Sequence, residues 1–88
     1  SRYRRVILAL YATAEPDGVL NAATNGEIGD SAGVAARGIS DYLRYAEADG
    51  VVRTFRSGPA CRVMVLMDHR KSSGYLRALG LQCGSGAR

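Results

Sequence analysis

Gly33-Val34-Ala35-Ala36-Arg37-Gly38-Ile39-Ser40-Asp41-Tyr42-Leu43-Arg44-Tyr45-Ala46-Glu47-Ala48-Asp49-Gly50-Val51-Val52 is the stretch on which the fold turns. Ile39, Leu43 and Ala46 recur in it at i, i+4 and i+7, while Arg37, Ser40, Asp41 and Arg44 recur at i, i+3, i+4 and i+7. A helix of about 3.6 residues per turn collects each set on its own side, so one face is apolar and the other polar and charged. Glycines stand at both borders: Gly33 suits the left-handed close of a preceding helix, and Gly50 the position just past this one. Val51 and Val52 then switch the pattern toward strand.

Working upstream, Thr24-Asn25-Gly26-Glu27 has the T-x-x-E form of a capping box, so a helix of about two turns is expected from there to Gly33. Glu15-Pro16-Asp17-Gly18 is turn chemistry, and Val19 and Leu20 fit one short strand after it. From Tyr3 to Ala14 the spacing of Ile7, Leu10, Tyr11 and Ala14 predicts a helix with those residues inward. Val6 and Leu8 make the run almost continuously apolar, which leaves a strand as the alternative.

Downstream, Val51 to Arg56 and Cys61 to Met67 read as the two strands of a β-hairpin, joined through Ser57-Gly58-Pro59. Residues 73–79 fit a short final helix with Tyr75, Leu76 and Leu79 packing inward. The expected organisation is one α+β domain over residues 1–82 and a flexible tail over 83–88.

At 88 residues and 9.3 kDa, with 47% hydrophobic and 23% charged residues, the chain has material for one modest core and none for a large two-layer enzyme with a deep cleft. No apolar run approaches the roughly 18 to 20 residues of a membrane-spanning helix, so a soluble chain without membrane contact is expected. It opens at Ser1 with no signal-peptide pattern and reads as a segment of a longer, cytoplasmic protein. Cys61 and Cys83 lie in no Cys-x-x-Cys pair and have only His69 to join them, so free thiols are expected and structural zinc is not. There is no phosphate-binding glycine loop, His-Glu-x-x-His or Gly-x-Ser-x-Gly, and neither enzymatic activity nor a cofactor is expected.

Net charge is +4 and the isoelectric point about 9.5, with eleven arginines against one lysine. The distribution says more than the total. Residues 1–14 carry +3, residues 15–49 carry −5, residues 50–67 carry +3 and residues 68–88 carry +3. Arg53, Arg56 and Arg62 occur with no acid between Asp49 and Asp68. An anionic partner suits such patches. The arginine-rich, Ala- and Gly-rich composition also matches a GC-rich, actinobacterial type of genome.

The quoted stretch resembles the bacterial winged helix-turn-helix pattern. Gly33 and Val34 stand at the turn, and the Ile39-Ser40 pair is followed three residues later by Leu43. Glu47-Ala48-Asp49-Gly50 then precedes Val51 and Val52 at the entry to the wing, with no gap in register. Glu27-Ile28-Gly29 stands where that family usually has Glu-Leu-Ala, and the resemblance covers roughly residues 5 to 67. It implies three helices, a β-hairpin wing and double-stranded DNA as the partner. The third helix would enter the major groove, held by Ile28, Val34, Ile39 and Leu43.

On that reading Arg37 and Arg44 are the candidates for bidentate bonding to guanine, Arg37 first. Ser40 meets a base or phosphate, and Ala35 and Ala36 permit close approach or touch a thymine methyl. Thr24 with the early amides of its helix would hold a phosphate. Arg53, Arg56, Ser57 and Arg62 would meet phosphates or a minor groove, with Arg4, Arg5, Arg70 and Lys71 extending the footprint. Asp41 either accepts from a cytosine amine or pairs with Arg37 at i, i+4 and orients it.

Plainer readings stand beside these. Tyr42 and Tyr45 are packing residues, Met64 and Met67 fill gaps, Asp68-His69 is not a catalytic couple, and the hairpin arginines could be a solvated strand edge. Three functions are open. The first is the DNA-binding domain of a transcription regulator, acting as a homodimer on two half-sites. The second is the C-terminal DNA-recognition domain of a larger, plasmid-borne machine, a conjugative DNA translocase or replication protein, oligomeric through its parent. The third is a winged helix used for protein contact.

Overall fold

Thr24 caps helix α2 (Asn25–Ala32) as the capping box predicts, its hydroxyl accepting from the Glu27 amide while the Glu27 carboxylate accepts from the Thr24 amide. Gly33 closes that helix in the left-handed conformation at φ 72°, and three residues later helix α3 (Ala36–Ala48) begins. The computed structural model describes residues 1–56, 62–67 and 72–81. Around the α2–α3 pair it places helix α1 (Arg2–Thr13), strands β1 (Val19–Asn21), β2 (Val52–Arg56) and β3 (Arg62–Leu66), and helix α4 (Ser72–Gly80).

Among the described residues this is a small α+β domain with a three-stranded antiparallel sheet in the order β1-β3-β2. Val65 faces Val19 on one side and Arg53 on the other, and the β2–β3 ladder runs from Val52↔Leu66 to Arg56↔Arg62. Central β3 is covered on both faces, which is why Val63-Met64-Val65-Leu66 is a continuous apolar run rather than an alternating one. Met64 and Leu66 join Leu20 and Val52 against α1, α2 and α3, where Val6, Leu10, Ile28, Ile39, Leu43 and Ala46 complete the larger core. Val63, Val65 and Val19 face the other way, against Ala78 of α4 with Phe55 and Tyr75 at the rim.

Two inward faces differ from expectation. In α1 the buried stripe is Val6, Ala9 and Leu10; Ile7 and Ala14 are half-buried, and Tyr11 is 37% exposed. The apolar run was too continuous for periodicity to choose a face, and packing against α2 made the choice. In α4 Tyr75 and Leu79 are half-buried as expected, but Leu76 is 61% exposed. The residues at the contact are Ala78 and Gly74, because α4 lies so close to the Asp17 carbonyl that a Cβ on Gly74 would come within 2.2 Å of it.

A charged fork fastens that contact. Arg77 donates through Nε to Asp17 Oδ2 at 2.7 Å and through Nη2 to Asp17 Oδ1 at 2.9 Å and Glu15 Oε1 at 2.6 Å. The hydrogen bonds from Arg77 hold the Asp17 carboxyl down at about 2 from an ordinary 3.8, and those to Asp17 and Glu15 raise Arg77 further. At the opposite side of the domain the rings of Tyr3, Tyr42 and Tyr45 form a triangle with centroids 6.2 to 6.3 Å apart. The Tyr3 hydroxyl donates to Asp49 at 2.7 Å. Burial first, then that bond, pushes Tyr3 up to about 12. The start of α1 is thereby tied to the end of α3.

The expected turn at Ser57-Gly58-Pro59, Cys61, Cys83, Asp68-His69, Arg70, Lys71 and the tail 83–88 lie outside the described residues.

Two glycines should respond in opposite ways to alanine. A Cβ on Gly29 would sit 2.5 Å from the Val34 carbonyl oxygen, whereas on Gly38 it meets nothing nearer than 3.8 Å. Gly29→Ala is expected to cost about 1 to 3 kcal/mol by overpacking. Gly38→Ala is expected to gain about 1 kcal/mol of helix propensity. Urea unfolding followed by circular dichroism measures both. Asp17, depressed in the folded state, contributes stability above the ordinary carboxyl range and loses it as pH falls from about 4 toward about 2. The urea midpoint should drop across that window, and Asp17→Asn should flatten the drop.

Candidate nucleic-acid interface

With Ile39, Leu43 and Ala46 buried, helical geometry leaves Ala36, Arg37, Ser40, Asp41 and Arg44 exposed on the other side of α3, and Ala35 exposed at its cap. These six were the helix residues expected at the interface, and the fold gathers them on one outward ridge. Ala35 makes no side-chain capping bond. Arg37 makes no ion pair among the described residues and rises beside Arg2 along a groove of about 440 Å³ that also borders Gly38 and Tyr42.

Asp41 does not orient Arg37. Its Oδ1 accepts from Arg44 Nη2 at 2.5 Å, an i, i+3 pair, with both side chains more than half exposed. An acid placed N-terminal to its base is the favourable order along a helix; Arg37 precedes Asp41 and Arg44 follows it. The pair is solvated and contributes little to stability, but it holds one end of the ridge in shape.

The three arginines expected to act together in the hairpin separate. Arg53 lies on the α4 side of the sheet, its guanidinium 5.8 Å from the centroids of both Phe55 and Tyr75. Arg56 is exposed on the side facing α3, and Arg62 is half-buried beside it. Strand alternation accounts for the split, since residues 53 and 56 differ by an odd number and face opposite ways. Ser57 lies outside the described residues.

Arg62 holds the framework together. Its Nη1 donates to Asn25 Oδ1 at 2.7 Å, its Nη2 donates to the Ala23 carbonyl, and Asn25 Nδ2 donates in turn to Ser40 Oγ at 3.2 Å. A line of polar contacts therefore runs from β3 through the start of α2 to the middle of α3. Burial, and then the neighbouring Arg56, lower the Arg62 guanidinium below the ordinary arginine value, against the pull of Glu47. Glu47 itself accepts from the Thr54 hydroxyl and so joins α3 to β2.

Asn25 was missed from sequence. The available signal was its place as the first residue after the Thr24 cap, beside the turn where Ala23 presents a carbonyl. Thr24, expected to help hold a phosphate, is exposed, and the anion that answers the α2 dipole there is the Glu27 carboxylate.

Comparison with protein families, curated proteins and solved structures finds no match to the chain. Among the described residues no helix is long and apolar enough to cross a membrane, and no three His, Cys, Asp or Glu side chains are grouped to hold a metal ion.

Arg62→Ala removes the donor from two protein acceptors and is expected to cost about 1 to 3 kcal/mol. Arg56→Ala, on an exposed side chain, should stay within about 0.5 kcal/mol of the parent. Thermal and urea unfolding of the two variants side by side tests the assignment of one arginine to the framework and the other to the surface.

Proposed function

We propose that this domain is a winged helix-turn-helix module that binds double-stranded DNA sequence-specifically and addresses a transcription regulator to its site. On this reading α3 enters the major groove and the β2–β3 pair is the wing. The observation that carries it is the outward ridge of α3: an Arg37 with no ion pair among the described residues, a Ser40 and an Asp41-braced Arg44 on a helix whose other side is anchored in the core. A helix with its side chains is about 10 to 12 Å across, and the major groove of B-DNA is about 12 Å wide, so a protruding helix can bring such side chains to base edges.

The roles differ along the ridge. Arg37, free to fork, is assigned to guanine O6 and N7, a contact of about 1 to 3 kcal/mol in discrimination. Arg44, held by Asp41, is assigned to positioning on the backbone, where a braced cation sets register without reading sequence. Gly38, next to Arg37, carries no side chain to hold the duplex away from the helix there. Arg2 lies along the same groove as Arg37 and adds positive charge on the α1 side.

One observation favours protein contact as a second reading. The exposed side of α3 carries Asp41 and Glu47 against Arg37 and Arg44, which leaves the ridge close to neutral. A duplex needs net positive charge from the surroundings to be held, and a protein partner does not.

Selection from random duplexes by the purified chain should return an enriched motif containing a guanine. Arg37→Ala should then lose about tenfold or more in affinity for that motif and show relaxed preference at the guanine, read by fluorescence anisotropy on matched and substituted duplexes. A selection that returns no motif, with the Arg37 variant indistinguishable from the parent on every duplex, moves the assignment to protein contact.

A further inference from the structure

Arg56 and Arg62 are register partners across β2 and β3. Like charges directly opposite in an antiparallel ladder repel, and among the described residues no carboxylate is bonded to either of them. The acceptors that hold Arg62, the Ala23 carbonyl and the Asn25 amide oxygen, are neutral. Arg56 makes no ion pair among the described residues. Of the two carboxylates on α3, Asp41 is paired with Arg44, while Glu47 accepts from the Thr54 hydroxyl and keeps its charge at the edge of the cleft, where it offsets part of the charge on Arg62.

These groups border a cleft of about 240 Å³ between α3 and the sheet, lined by Asn25, Ser40, Arg44, Glu47, Arg56 and Arg62. Arginines from α3, β2 and β3 thus line one space, together with Ser40. A carboxylate has two coplanar oxygens and is satisfied by a single fork, whereas two guanidinium groups and a hydroxyl arriving from α3 and β2 match a tetrahedral group with oxygens on several sides.

We propose that this cleft binds one phosphoryl group, gripped by Arg56 and Arg44 from two sides and by the Ser40 hydroxyl, with Arg62 supplying charge from behind. The group relieves the Arg56–Arg62 repulsion and draws β2 toward α3. It can be a phosphodiester of a duplex or the phosphate of a small phosphorylated ligand. The site rests on the register pair and the cleft; only its duplex source rests on the function proposed above.

The test is an NMR titration of the whole chain with inorganic phosphate against sodium chloride at matched ionic strength. Saturable shifts are expected at the Asn25 and Ser40 amides and at the Arg56 Nε, weakened at least fivefold in Arg56→Gln and partly restored in Arg56→Lys. An unfolding midpoint in Arg56→Gln no lower than that of the parent separates loss of binding from loss of fold. Shifts that grow without saturation over all exposed arginines, or saturable shifts indifferent to Arg56→Gln, overturn the site.

A duplex arm then assigns the source. If the phosphate is a DNA phosphate, Arg56→Gln lowers the logarithmic salt slope of duplex binding by about 0.9. An unchanged slope beside saturable phosphate binding assigns the cleft to a free phosphorylated ligand. Saturable phosphate binding by a chain that binds no duplex upholds the cleft and ends the DNA reading alone.

Discussion

The apolar side of α3 decides what its other side can do. Ile39, Leu43 and Ala46 are buried against α1, α2 and the sheet, and a helix anchored along one stripe has no freedom to rotate about its axis. Gly29 and Gly33 make that anchoring close. α2 reaches the turn with its Gly29 carbonyl accepting from the Val34 amide at 3.0 Å, at a separation where a side chain on residue 29 would collide with the Val34 carbonyl. The exposure of Arg37 and Arg44, the brace from Asp41 and the cleft below Arg44 all follow from where that stripe is held. On the ridge itself, Ser40 adds a tie to α2 by accepting from Asn25.

The arginines are sorted by what surrounds them rather than by where they fall in the chain. Arg77 is locked by two carboxylates and Arg62 by two neutral oxygens, while Arg53 spreads over aromatic rings. These are structural uses of a cation, and each consumes donor capacity that a ligand would otherwise find. Arg37 and Arg56 make no ion pair among the described residues. A basic isoelectric point is therefore a poor measure of how much positive charge this surface offers.

Local chemistry was legible in the sequence and distant chemistry was not. The Thr24–Glu27 capping box, the close at Gly33 and the two faces of α3 depend on residues within a turn or two of each other, so spacing alone locates them. The inward face of α1 required knowing where α2 packs. Leu76 was expected inside because it is apolar, but the approach of Gly74 to Asp17 sets the angle of α4 and turns Leu76 out. The bond from Arg62 to Asn25 spans 37 positions, so no spacing rule could have found it. Asp41 was misassigned for a different reason: both arginines lay within helical reach, and helix polarity favoured the one that follows it.

The fork from Arg77 to Asp17 joins residues 60 positions apart, and so joins the turn before the first strand to the last helix. Until that helix emerges during synthesis, β1 has one face of its sheet uncovered, with Val19, Val63 and Val65 open to water. The second core therefore closes only after α4 has been made, and a nascent domain stalled before Ala78 would present that valine surface to whatever is nearby.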